Sequence, residues 1–415
     1  MLVAAPPLSQ DVVSGCGIEY APLGDPPKTG GDGKKISAPG IAAFVSRTVF
    51  SFLRSLLSRG PGPTWPVKTP DLERLMDSSW AACEGADAVI FPFIMIWAYH
   101  IAEKLRIPCY LWDTHPLTPT RAFPHFQFTG IFPAWFRLAN ALPWFRRNGG
   151  FNLFTHRVVQ RLLLSLGLRL TNRWRAEKLQ LPMLRNIRPL LKFYNDGAVV
   201  LYGYSPLIVP KPDDWPAFHH VTGYWFLDKT AEWQPPSELL RFLSEGPPPV
   251  YIGFGSARDR NPQRLTKIAI DALARAGCRG ILLTGRGGLV HMSDVPSNVF
   301  IMDFIPHDWL FSRVAAVVHH CGAGTSAAVL RAGIPSISVP WWGDMYFWAD
   351  CLHRLGVSPP FIPKGSLSAE RLVDAIRMAL NDASLRERAT AIARQIAAED
   401  GVGKAVHIFE SSTVT

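Results

Sequence analysis

The sequence predicts an α/β protein built from two doubly wound, mostly parallel sheets, and three features carry that prediction. With 415 residues and 48% hydrophobic content the chain can bury two ordinary cores. From Val250 to Val339, short apolar runs alternate with helical periodicity as strand, helix, strand, the rhythm by which parallel sheets are wound. The run VVHHCGAGT, Val317 to Thr325, joins a buried strand to a helix through a turn of very small residues.

The rest of the chain is organised around that last stretch. Ala315 to His319 reads as the strand and Cys321 to Gly324 as the turn. Thr325 or Ser326 is in position to cap a helix propagated by Ala327 to Ala332, and Gly333 ends it before the strand Ser336 to Val339. Such a loop offers backbone N–H groups and a positive helix end to an anion, most often phosphate, and His320 stands at its lip. Gly322-x-Gly324 alone fits a purely structural turn equally well. A dinucleotide fingerprint wants an acid about 20 residues on, at the end of the next strand. Asp344 lies near that distance, but Pro340, Trp341, Trp342 and Gly343 separate it from the strand, and Ala327 stands where the third glycine belongs. A nicotinamide-dependent oxidoreductase is therefore a distant alternative.

Taken in order, residues 1–60 are largely irregular. Pro6, Pro7, the Pro22 to Pro27 cluster and Thr29 to Lys35 break regular structure, and only Ile41 to Leu57 has helical character. Ala86 to Phe91 reads as a strand, Ala98 to Leu105 as a helix and Pro108 to Trp112 as a second strand. Val199 to Tyr204 and Val221 to Tyr224 supply two more strands, and Pro235-Pro236 with Pro247 to Pro249 frame a linker. Val250 to Phe254 then opens the second half, running into Gly255-Ser256. Asn261-Pro262 reads as cap and first position of a helix whose Leu265, Ile268, Ala269, Ala272, Leu273 and Ala276 share one face, ending at Gly277. Strands at Ile281 to Thr284 and Val299 to Met302 come next, with a short helix at Asp308 to Phe311. Ser384 with Glu387 has the spacing of a capping box for the penultimate helix.

Six cysteines without CxxC spacing, no apolar leader and no uncharged run of the ~18 residues needed to span a bilayer predict reduced thiols, no zinc site and a cytoplasmic location. The charge is uneven. Residues 137–192 hold 12 Lys or Arg against the single acid Glu177, a net of +11 in a chain whose total is +10. Within that segment Val158, Val159, Leu162, Leu163 and Leu166 share one helical face, with Arg157 and Arg161 opposite. The segment is either a solvated helix or a peripheral dock for an anionic membrane, helped by the aromatic run Phe126 to Phe145. No motif for nucleic acid accompanies the charge.

HHCGAGT, AGIPSISVPWWGD and Phe347-Trp348 resemble the donor-binding signature of UDP-sugar-dependent glycosyltransferases, most of all the sterol 3-β-glucosyltransferases of fungi and plants. VYIGFGS (Val250 to Ser256), FIPHDWLF (Phe304 to Phe311), VPKPDDW (Val209 to Trp215) and EDGVGKAV (Glu399 to Val406) match in the same order, so the resemblance runs from about Gly17 to Phe409. It implies the GT-B architecture, two Rossmann-like domains facing across a cleft. Residues 1–230 would form the acceptor domain, 231–249 the linker and 250–400 the UDP-sugar domain, with 401–415 packing back towards the first domain. The family opens with a strand, a Gly-rich loop and a helix ahead of a segment like GIEYAPLGDP (Gly17 to Pro26). Only 16 residues precede Gly17, against about 30 for a βαβ unit, so the first βα unit is expected to be missing. The implied activity is inverting transfer of a hexose, glucose in the family, from a UDP-sugar to the hydroxyl of a sterol or triterpenoid, a lipid glycosylation of secondary metabolism. A catalytically impaired UDP-sugar- or sterol-binding relative is the alternative.

Glycosyl transfer passes through an oxocarbenium-like state with a departing diphosphate. No two aspartates in the chain are separated by a single intervening residue, so the DxD metal site is absent and no metal is expected. By position in the family motif, His320 and the N–H groups of Gly322, Ala323, Gly324 and Thr325 meet the diphosphate, with Gly255 and Ser256 closing from the facing loop. Phe304 and Ile305 meet the uracil by stacking and by backbone. Asp344 and Met345 occupy the pair, usually Asp-Gln, that holds the sugar hydroxyls, and a thioether cannot donate as an amide does. The catalytic base is open. In Thr114 to His125 (THPLTPTRAFPH), which resembles the acceptor-side loop, His115, His125 and Arg121 gather beside Asp113. His125 and Asp113 are the candidates, against the reading that these are polar residues closing a cleft.

Overall fold

The computed structural model describes residues 2–5, 14, 19–23, 69–131, 149–227, 233–285 and 287–413. The expected helix Ile41 to Leu57, most of the proline-rich opening, Arg137, Arg146, Arg147 and most of the aromatic run up to Phe145 lie outside them.

Leu2–Ala5 (β1) pairs in parallel with Glu19–Pro22 (β2) as a sheet of its own. A strand thus precedes Gly17, in residues whose sequence reads as irregular, because Leu2 to Ala5 is apolar enough to pair. After helix α1 (Thr69–Cys83) come β3 (Val89–Pro92), α2 (Trp97–Leu105) and β4 (Cys109–Asp113). These lead through α3 (Phe126–Ile131), α4 (Gly150–Glu177) and α5 (Arg188–Lys192) to β5 (Val200–Tyr202) and β6 (His219–Val221). Strands β3, β4, β5 and β6 form a parallel sheet in that order. β6 sits earlier than the expected Val221 to Tyr224, since Gly223 takes φ 112° and breaks the extended run.

Helix α4 spans 28 residues and buries Thr155, His156, Val159, Gln160, Leu164, Leu168, Thr171, Trp174 and Arg175. The expected apolar face is rotated. Val158, Leu162, Leu163 and Leu166 flank it half-buried, because distant partners satisfy its polar residues. Arg175, 2% exposed, holds both Glu103 carboxylate oxygens at 2.7 Å, and Trp174 donates to Asp77 at 2.9 Å. One of the counted basic charges is therefore internal.

The second half opens with α6 (Ser237–Ser244) and continues through β7 (Val250–Gly253), α7 (Pro262–Ala276), β8 (Gly280–Leu283), β9 (Val299–Met302), α8 (His307–Phe311), β10 (Ala316–His319), α9 (Ala323–Ala332) and β11 (Ser336–Ser338). The chain ends on α10 (Asp344–Arg354), α11 (Ala369–Asn381), α12 (Ala383–Ala397) and α13 (Gly401–Thr413). Every residue of β7, β8, β10 and β11 is buried, as a sheet covered on both faces requires. Asn261 caps α7 by accepting from the Arg264 N–H at 3.0 Å, and Gly277 (φ 69°) ends it, both as the sequence predicts. Two other caps differ. Cys321 takes φ 64°, turning the chain early enough that α9 starts at Ala323 behind an extended Gly322 rather than at Thr325 or Ser326. At α12 the cap is Asp382, whose Oδ1 accepts the Ser384 N–H (2.9 Å) and its hydroxyl (2.6 Å); the Ser384 hydroxyl is spent as a donor, and the carboxylate is the stronger acceptor.

The sheet order is β11-β10-β7-β8-β9, all parallel. Connections wind away from β7 on one side and from β10 on the other, so the switch point lies between them. In open α/β sheets the ligand crevice opens beyond the carboxyl ends at that point, here beyond Gly253 and His319.

Candidate active site in the cleft

The loops leaving β7 after Gly253 and β10 after His319 are forced into close approach. A Cβ at Gly255 would lie 2.7 Å from His320 Cε1, and one at Gly322 would lie 2.7 Å from His320 Nε2. The imidazole is wedged between two loops that only glycine permits. His320 is 5% exposed and its Nδ1 has no partner among the described residues. Burial lowers its pKa to about 4, against the pull of Asp344, so the ring is neutral at pH 7 with one N–H to donate. Beside it the ten-residue helix α9 follows Gly322 without a side-chain cap, and the space around Gly324 is open. Ser326 in its first turn is 1% exposed, and its hydroxyl also lacks a partner among the described residues. An uncapped helix N-terminus, a buried imidazole and a buried hydroxyl together suit an anion.

The facing side comes from the end of β4. Asp113 Oδ1 accepts the His115 backbone N–H at 2.9 Å and lies 2.8 Å from its ring Nδ1. The other ring nitrogen, Nε2, lies 3.1 Å from Asp344 Oδ2 at the first position of α10, in the opposite half of the chain. The ring stacks on Phe126 with centroids 4.9 Å apart and keeps 20% of its side chain exposed. Burial by itself would lower its pKa, but the hydrogen bonds to Asp113 and Asp344 prevail and raise it to about 10, so His115 is an imidazolium donating from both nitrogens. Phe123 packs 5.8 Å from Phe347, and Tyr204 lies 5.9 Å from Trp348. The two halves meet around the Asp113, His115, Asp344 bridge.

Comparison with known proteins fits this geometry. Residues 269–409 match the family described as "Erythromycin biosynthesis protein CIII-like, C-terminal domain". A sterol 3-β-glucosyltransferase of Arabidopsis thaliana is 34% identical over 413 residues, covering 96% of this chain and 59% of its own length. One of Candida albicans is 35% identical over 352 residues, 82% of this chain and 22% of its own. Among solved structures the glycosyltransferase of kitacinnamycin superposes with a TM-score of 0.64 at 17% identity, over 99% of this chain and 90% of that one. The spinosyn forosaminyltransferase does so at 0.62 and 15%, over 100% and 91%. The chain has the GT-B fold. It spans about three-fifths of the length of the plant relative and less of the fungal one.

In this GT-B chain the predicted donor residues fall into two groups. Gly255, Ser256, His320, Gly322, Ala323, Gly324 and Thr325 gather at the β7 and β10 ends. Phe304, beyond the end of β9, is 64% exposed, a free apolar ring, while Ile305 beside it is 1% exposed and can offer only backbone. Met345 is 6% exposed and belongs to the hydrophobic core, so of the pair at 344 and 345 Asp344 alone presents a polar side chain to the cleft. His125 is 2% exposed, with Nδ1 accepting the Gln127 N–H at 3.2 Å and its ring stacked on Phe126. It is packed inside the GT-B N-terminal half, and Asp113 contacts His115 instead. Sequence reasoning places His115 in the cluster without singling it out. The available signal is the Asp-x-His spacing at a strand end; the third member, Asp344, is invisible at that level because it comes from the other domain. Of the aromatics after β4, Phe128 packs on Phe151 at 5.7 Å. Of the described helices, none is long and apolar enough to cross a membrane.

Proposed function

We propose that the protein is an inverting transferase that moves glucose from UDP-glucose to the hydroxyl of a sterol or related triterpenoid. The observation that carries this is the buried, unpartnered His320 beside the uncapped N-terminus of α9 at the sheet's switch point. The names of the relatives supply the sugar and acceptor class. As the C1–O bond of the donor breaks, negative charge builds on the β-phosphate oxygen. His320 and the N–H groups of Gly322 to Thr325 meet it there, where pre-aimed donors are worth most, so the protein's own dipoles do what a metal does elsewhere. Phe304 stacks on the uracil, Ile305 contacts it by backbone, and Asp344 accepts from sugar hydroxyls.

Attachment to an anionic membrane is part of the proposal, since Arg157, Arg161 and Arg169 are exposed along α4 and Phe154 beside them is 58% exposed. The decisive experiment is a pair of titrations and an assay. UDP binds and NADH does not, and UDP-glucose with a 3β-hydroxysterol yields the glucoside. Absence of UDP binding overturns the reading.

A further inference from the structure

The bridge across the cleft gives Asp344 two claimants. In the structure its Oδ2 faces His115 Nε2 at 3.1 Å. In the donor complex proposed above, on which this inference rests, the same carboxylate accepts from sugar hydroxyls. A sugar hydroxyl that donates to Oδ2 takes the oxygen that the imidazolium uses.

We propose that His115 is the catalytic base, oriented by Asp113 and held out of action by Asp344 until the donor sugar takes that carboxylate. The geometry requires each part. The bond from Nδ1 to Asp113 Oδ1 at 2.8 Å fixes the ring plane and stabilises a proton on Nδ1. Nε2 is then the nitrogen that can accept, provided it is bare, but in the free protein it donates to Asp344. Thr114 Oγ1 also lies 3.2 Å from Nδ1, and it carries no charge. Asp113 comes from β4 and Asp344 from α10. His125, stacked on the same Phe126 ring, is kept neutral by burial, as is His320. Tyr202 and Tyr204 are both held protonated by burial.

When sugar hydroxyls occupy Asp344, the Nε2 proton loses the carboxylate that stabilised it and leaves to solvent. The acceptor O–H then gives its proton to Nε2 as its oxygen forms the bond to C1. The bond from C1 to the β-phosphate oxygen breaks, and its electron pair departs on UDP. The proton ends on His115, which is again an imidazolium when UDP-sugar has been consumed and Asp344 is free, so the gate resets. Without a donor in place no base is available to the acceptor, and the order of events is donor first.

The test is calorimetry of the whole chain at pH 7.5 in two buffers of different ionisation enthalpy. UDP-glucose is expected to release close to one proton per site and UDP, which lacks the sugar, none. His115→Gln is expected to bind UDP as the wild type does, release no proton with UDP-glucose, and lose 10²- to 10⁴-fold in transfer, roughly the span for a general base. Asp113→Asn keeps a partner for Nδ1 but removes the charge, so the rising limb of the kcat against pH profile should move to lower pH, a shift that a merely structural role does not produce. Proton release equal for UDP and UDP-glucose, or wild-type transfer by His115→Gln, overturns the gate while leaving the donor reading intact. Failure of wild type to bind UDP overturns both.

Discussion

Ser205 Oγ donates to Glu399 Oε1 at 2.5 Å, joining residues 194 apart in the chain. Ser205 lies just past β5 in the N-terminal half, and Glu399 sits in the turn between α12 and α13. The second carboxylate oxygen is buried without a partner among the described residues, and Gly401 beyond it lies against the backbone of Gly223 and Tyr224. Phe409 on α13 completes the contact, 4.8 Å from Tyr110 of β4. Glu399→Ala should therefore cost about 1–3 kcal/mol, a buried hydroxyl losing its charged acceptor, and Glu399→Gln less, since an amide oxygen can still accept. Urea midpoints of the two variants check this, and equal midpoints contradict it.

His320→Ala should leave the fold intact and reduce turnover about 10²- to 10³-fold, the loss typical of one oxyanion donor. Because burial holds His320 at about pKa 4, its charge does not change between pH 6 and 8, and the defect should be constant over that range. A defect that grows as the pH falls would mean that the imidazolium, not the neutral ring, serves the diphosphate.

The protein should lose stability steeply on mild acidification. Burial depresses His100 to about 3 and His156, His219, His307 and His320 to about 4. The folded state binds these protons more weakly than the unfolded chain, whose histidines titrate near ~6.5. The stability is therefore fully present above about pH 6.5 and falls as the pH drops towards 4, by up to about 1.4 kcal/mol per pH unit for each such group. His115 has the opposite sign: raised to about 10, it contributes fully below about pH 6.5 and its contribution is lost as the pH rises through 10. Thermal melts from pH 4.5 to 10 should show a maximum between these limbs, and His115→Gln should flatten only the alkaline one.

Replacing Arg157, Arg161 and Arg169 together by Ala should weaken sedimentation with phosphatidylserine vesicles by roughly 1 kcal/mol per charge at low salt, and less as salt rises. Arg175→Ala is the control. It breaks an internal bridge to Glu103 and should lower stability rather than vesicle binding. Vesicle binding indifferent to lipid charge and to the triple change would leave α4 a solvated helix face.

Much of the local chemistry is legible in the sequence, but the strand Leu2–Ala5 and the start of α9 at Ala323 are not. Asn261 and Gly277 bound α7 and Gly333 ends α9 in a left-handed turn, because caps act across three or four residues. Where a cap differs from expectation, at Ser384, a stronger acceptor stands two residues earlier. The anion loop is legible for the same reason, since small residues between a buried strand and a helix leave backbone N–H groups free. Other features depend on segments far apart. The buried face of α4 departs from its apolar pattern because Arg175 finds Glu103 from another helix, 72 residues away. His320 is trapped by Gly255 on a neighbouring strand end. His115 becomes the central residue of the cleft only when the chain folds Asp344, 229 residues on, against its second nitrogen. The sequence by itself thus determined the strands, the turns and the chemistry that each loop could offer. Strand order, the closing of the cleft and the partner of each titratable group were decided by the tertiary structure, because those contacts join distant segments and depend on how whole domains pack.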